Sequence, residues 1–67
     1  MIRLRVNGKE RTMDGPATVQ ELLHDLKLHP ATVVVELNEE ILDRERLSEV
    51  RVKDGDQLEL VHFVGGG

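Results

Sequence analysis

The hydrophobic positions at the start of the chain alternate with charged ones. Ile2, Leu4 and Val6 are separated by Arg3 and Arg5. A period of two predicts a half-buried strand with the three apolar side chains facing inward. Asn7-Gly8 follows, and both residue types tolerate the positive φ of a type I′ turn, so a hairpin is expected there. Its return strand, over residues 9–13, is mostly polar. It belongs at a sheet edge, where charge discourages pairing with other chains. Asp14-Gly15-Pro16 then breaks the pattern. Thr18-Val19-Gln20-Glu21 has the spacing of a capping box, in which the Thr18 hydroxyl accepts from the Glu21 N–H and the Glu21 side chain reaches back. Val19, Leu22, Leu23 and Leu26 form one apolar stripe at helical spacing. Lys27 suits the negative end of the helix dipole. Pro30 pushes His29 toward extended geometry, which predicts a helix over about residues 18–28.

The second half returns to strands. Residues 32–38 hold Val33, Val34, Val35 and Leu37, a run that is β-branched and too short for a helix. Val33, Val35 and Leu37 are expected inward, with Val34 on the opposite face. Ile41-Leu42 reads as a short edge strand, and residues 44–49 as a turn or 3₁₀ piece with Leu47 pinned to the core. Val50 and Val52 lead into a turn at Asp54-Gly55-Asp56. The last strand covers residues 57–63, with Leu58 and Leu60 on one side and Val61 and Phe63 on the other. One amphipathic helix can cover one face of one sheet. The first and last strands are the most apolar and should be central. If adjacent they run parallel, because the helical crossover returns the chain in the same direction. The order implies an α+β, β-grasp (ubiquitin-like) arrangement. In it one helix packs on a mixed sheet of four to five strands.

Composition narrows what such a domain can do. At 67 residues, folding buries only about 60% of the unfolded chain's surface. That supports one small core over residues 1–63. It leaves little room for an enclosed ligand pocket of roughly 300–1,000 Å³, which argues against a stand-alone enzyme. The chain has no Cys, which excludes a disulfide framework, a thiolate zinc site and a cysteine nucleophile. A net charge of −4 argues against a nucleic-acid partner, whose binders carry a basic patch. No apolar run is long enough for a membrane span, and the alternating N-terminus is unlike a signal peptide. A cytoplasmic protein is expected.

The side chains offer little catalytic equipment. His24 and His29 are five residues apart, and His62 is distant from both. Neither His-x-x-x-His nor Glu-x-x-His spacing occurs, so no metal site is expected. Glu39-Glu40 and Asp54-Gly55-Asp56 are the densest carboxylate clusters. Both fall in turns, where these residues have a sufficient structural role. No glycine-rich phosphate cradle is present.

The exception is the run Val64-Gly65-Gly66-Gly67. Disordered ends are ordinary, yet here a β-branched strand passes into glycine without transition. Four extended residues reach roughly 13 Å. A flexible tail over residues 64–67 can thread a narrow channel and present a carboxylate inside another protein's active site.

The order and spacing of Thr18-Val19-Gln20-Glu21-Leu22-Leu23, Val35-Glu36-Leu37-Asn38, Asp54-Gly55-Asp56-Gln57-Leu58 and Gly66-Gly67 resemble the ThiS family. The likeness extends along essentially the whole chain. Members are β-grasp sulfur carriers of thiamine thiazole biosynthesis. The resemblance implies Gly67 as the adenylated, sulfur-bearing residue, with Gly65 and Gly66 supplying slimness. It also implies three partners: an E1-like (ThiF-like) adenylating enzyme, a persulfide sulfur donor and a thiazole synthase (ThiG-like). The carrier itself would bind no cofactor, since ATP and Mg²⁺ belong to the activating enzyme. Val34, Val61 and Phe63 are expected to form a partner-binding patch near the tail root. Two rival readings share the fold and the tail. One is a carrier for another pathway, like the small subunit of molybdopterin synthase; the other is a ubiquitin-like protein modifier.

Overall fold

A computed structural model describes residues 1–63 of the chain. Strands β1 (Ile2–Val6) and β2 (Lys9–Met13) form the N-terminal hairpin. A two-residue strand β3 (Ala17–Thr18) leads into helix α1 (Val19–Asp25). Strands β4 (Val33–Leu37), β5 (Glu40–Ile41), β6 (Arg51–Val52) and β7 (Gln57–His62) follow. The main sheet has the order β2-β1-β7-β4-β5. Strands β1 and β7 are its parallel pair, and β7 runs antiparallel to β4. The first and last strands are thus adjacent, parallel and interior, as their apolar content predicts. The β-branched run forms β4 beside them, and β2 and β5 take the edges.

Alternation sets which side chains enter the core. Leu4, Val6, Val33, Val35, Leu58 and Leu60 come from the sheet, and Val19, Leu22 and Leu23 from the helix. Leu47 closes the far end, after a 3₁₀ turn over Arg44–Arg46. Fully burying a side chain of this kind stabilises by about 1.5–3 kcal/mol.

Side-chain amides complete the sheet where backbone pairing stops. Asn7 and Gly8 both have positive φ, in a two-residue turn between Val6 and Lys9. The Leu60 N–H donates to Asn7 Oδ1 at 2.7 Å, and Asn7 Nδ2 donates to the Leu60 carbonyl at 3.2 Å. The side chain therefore continues the β1 edge after its backbone has turned away. Asn38 does the same across β7: its Oδ1 accepts from the Gln57 N–H at 3.0 Å, and its own N–H donates to the Gln57 carbonyl at 2.7 Å.

The helix is shorter than the sequence pattern suggests. It ends at Asp25 rather than near residue 28, because Lys27 adopts a φ of +62°. The Leu28 N–H donates to the Leu23 carbonyl, and the Lys27 N–H to that of His24. This is a Schellman closure with lysine where glycine is usual. Pro30 instead opens a separate 3₁₀ turn, Pro30–Thr32. The last strand also stops one residue earlier than expected, at His62.

The short β3–β6 pair was not foreseen from the sequence pattern. Ala17 lies opposite Val52, and Thr18 opposite Arg51. This pairing places residues 47–50 over the start of α1. The Val19 N–H donates to the Val50 carbonyl at 2.9 Å, and the Gln20 N–H to the Leu47 carbonyl at 3.0 Å. The Thr18–Glu21 capping box supplies the other two bonds. All four amides that a helix start leaves without partners are satisfied.

Two measurements probe these contacts. Asn7→Gly retains the turn conformation but removes both side-chain bonds to Leu60; unfolding in urea should show a loss of about 1–2 kcal/mol. The Glu21 carboxyl is held below its ordinary value of 4.5, first by the bond from the Thr18 N–H, then by the Thr18 hydroxyl and the nearby charge of Arg51. A depressed folded-state pKa gives stability that is present above about pH 4.5 and lost as pH falls through the folded value. Glu21→Gln should therefore flatten the fall of thermal midpoint with acidification below pH 4.5, relative to the unchanged protein.

Candidate functional site

The groups with possible chemistry have ordinary roles where the structure describes them. His24, His29 and His62 are exposed. His24 and His29 line one surface depression of about 460 Å³ together with Glu21 and Asp25. His29 Nδ1 accepts from the Ala31 N–H at 3.1 Å, so this nitrogen caps the 3₁₀ turn. Among the described residues, no group of three His, Asp or Glu is placed to hold a metal ion.

The carboxylates of the Asp54-Gly55-Asp56 turn bind backbone. Asp54 Oδ1 accepts from the Arg3 N–H at 2.7 Å. Asp56 is only 6% exposed; its two oxygens accept from Asn38 Nδ2 at 3.0 Å and the Lys53 N–H at 2.7 Å. The turn ties the start of β7 to β1 and to the end of β4. Glu39 serves another turn: Asn38 and Glu39 both have positive φ between the paired residues Leu37 and Glu40. They form a two-residue hairpin with glutamate where glycine is favoured.

The unusual surface is the sheet face that the helix leaves open. Val34 and Val61 lie directly opposite each other on β4 and β7. Val34 is 39% exposed, Val61 60% and Phe63 41%. Phe63 follows the end of β7 and stays tied to the sheet, its N–H donating to the Thr32 carbonyl at 3.1 Å. Alternation adds Ile41, which is opposite Glu36 on β5 and 67% exposed. Ile41 is absent from the patch expected from the sequence. Its signal is the pair Ile41-Leu42 itself: Leu42 packs against the core, so its neighbour in an extended chain must face away. The open face thus carries four exposed apolar side chains: Val34, Val61 and Phe63 toward the end of β7 from which the chain continues to the glycines, and Ile41 beside Glu36, level with Glu59. Gly65, Gly66 and Gly67 lie outside the described residues.

A helix on one face of a mixed sheet, a parallel central pair and an open opposite face define a β-grasp protein of the ubiquitin-like class. A model of the ThiS family matches residues 4–67. The sulfur carrier protein ThiS of Bacillus subtilis is 45% identical over 65 residues, covering 96% of this chain and 98% of that protein. A crystal structure of the thiamine biosynthesis protein ThiS from Geobacter metallireducens superposes with a TM-score of 0.84 at 48% identity, covering 98% of this chain and all of that one. The chain belongs to the ThiS family. It is also 42% identical over 66 residues to a thiazole synthase of Paramagnetospirillum magneticum, where it spans only 20% of the longer protein. No helix among the described residues is long and apolar enough to cross a membrane.

Proposed function

We propose that this chain is a sulfur carrier of thiamine biosynthesis, with the Gly67 carboxylate as its cargo site. The observation that carries the reading is the family match through Gly67, combined with a glycine-only run that follows an interior strand. A carboxylate resists nucleophilic attack, because its charge repels nucleophiles and oxide is a poor leaving group. An E1-like, ThiF-like enzyme solves this by adenylation. A Gly67 oxygen attacks the α-phosphorus of ATP with Mg²⁺ present, and pyrophosphate leaves. The outer sulfur of a persulfide donor then displaces AMP from the acyl carbon. A thiol cleaves the remaining S–S bond, taking the donor sulfur into a disulfide and leaving a thiocarboxylate on Gly67.

The carrier contributes reach and recognition, and the catalytic groups belong to its partners. Gly65 and Gly66 have no Cβ and fit a narrow channel. Val34, Val61 and Phe63 give the activating enzyme an apolar surface to grip. A thiazole synthase is the acceptor of the sulfur. Support for that partner comes from the P. magneticum thiazole synthase, in which a segment similar to this chain forms part of the same polypeptide.

Intact-mass measurement after incubation with ATP, a ThiF-like enzyme and a persulfide donor tests the reading. The expected product has sulfur in place of one oxygen, and deletion of Gly67 abolishes it with the thermal midpoint unchanged. A chain that gains neither adenylate nor sulfur overturns the proposal, and attachment to lysines of other proteins identifies a modifier instead. Phe63→Asp checks the patch: sulfur loading should slow by about tenfold or more in a variant that keeps its circular dichroism spectrum.

A further inference from the structure

The open sheet face is divided by charge. On β1 and β2 it carries Arg3, Arg5, Glu10 and Thr12, and Arg3 Nε is paired with Glu10 at 3.2 Å. On β7 and β4, Glu59 lies directly opposite Glu36. Flanking bonds, including Phe63 N–H to the Thr32 carbonyl and Asn38 N–H to that of Gln57, make this a hydrogen-bonded cross-strand pair. Its Cα atoms are then about 5.5 Å apart. Like charges directly opposite one another destabilise a sheet. Among the described residues neither carboxylate has a cation within salt-bridge distance. Both line an open depression of about 300 Å³ together with Glu39 and with Arg5 of β1, whose guanidinium forms no ion pair with either of them. Glu36 is flanked along the next rows by the apolar patch, with Ile41 opposite it and Val34 two residues away on the same strand.

We propose that the β4–β7 half of this face docks a protein surface presenting an apolar contact beside an arginine. The apolar contact rests on Val34, Val61 and Ile41, and the guanidinium sits between Glu36 and Glu59. The argument is charge complementarity joined to the position of the tail. A guanidinium presents five donors in a fixed fork and matches carboxylate oxygens better than a lysine does. It turns a repulsive pair into two attractive contacts only in the complex. The apolar patch alone accepts any apolar partner, whereas the acidic pair selects one of opposite charge. Because β7 leads toward Gly65, a partner seated here holds the chain close to where its carboxylate must be delivered. The occupant is taken to be the adenylating enzyme, so this inference rests on the proposed function for its partner.

Glu36→Gln/Glu59→Gln tests it, with Glu45→Gln/Glu49→Gln, on exposed residues remote from β4 and β7 in sequence, as a charge-matched control. Binding to a purified ThiF-like enzyme is measured by calorimetry from low to high salt, beside thermal midpoint and sulfur loading. The first variant should bind about tenfold more weakly at low salt and converge with the unchanged protein at high salt, where screening removes the contribution. Its thermal midpoint should stay the same or rise, and the control should bind normally. Equal affinity and equal salt dependence in both variants, with sulfur loading intact, overturn this inference and leave the proposed function standing. An unchanged chain that is neither bound nor loaded overturns both. Self-association lost in the first variant would assign the face to a second copy and overturn the choice of partner.

Discussion

Everything in this domain depends on strand β7 having a partner on each side. Its parallel pairing with β1 and antiparallel pairing with β4 join the two ends of the chain through the middle of the sheet. The parallel pair cannot be closed by a tight turn; it needs a crossover, and α1 lies within it. The covalent order therefore dictates that the helix covers one face and that the other stays open. Where the backbone ladder runs out, Asn7 and Asn38 extend it, gripping Leu60 and Gln57 from opposite sides. The buried Asp56 adds a third clasp at the start of the strand. The start of β7 is thus the most heavily clasped part of the strand, while its far end is held by β4 and by the Phe63 N–H bond to the Thr32 carbonyl.

The helix illustrates a second dependence. Seven residues are too few for an isolated helix to persist in water. Here its first amides are bonded by Leu47 and Val50 carbonyls and by its own capping box. Residues 47–50 come late in the chain and are held in place by β6 on β3. The capping box was legible because its four residues are contiguous. The carbonyls that accept from this helix start were not, since no local pattern announces a bond between residues about thirty positions apart. The two-residue strands β3 and β6 are also too short to display a period.

What else the sequence revealed follows the same division. Alternation exposed the core faces of β1, β4 and β7, and Asn7-Gly8 marked its hairpin because both residues suit the turn. The turn expected at Glu39-Glu40 falls one residue earlier, at Asn38-Glu39, and the helix ends before Lys27, because each site puts a non-glycine residue at positive φ. Those conformations are imposed by tertiary pairing against local preference. The patch of Val34, Val61 and Phe63 was foreseeable from alternation alone. Ile41 required knowing that β5 pairs with β4, and the opposition of Glu36 and Glu59 required the register of β4 on β7.

Size and chemistry can now be connected. Among the described residues twelve well-buried apolar side chains fill the core, and the buried carboxylate is committed to holding a turn. Under the proposed function, the reacting atoms lie beyond the last described strand, and the folded part determines only which enzyme receives them. Such a division explains why the surface departs from the best choice for stability at one place. An exposed apolar cluster and a repulsive glutamate pair add nothing to the isolated fold, and both become favourable when a complementary surface covers them. Selectivity among partners then rests on a face that the core does not need, which leaves recognition free to vary without loss of the fold.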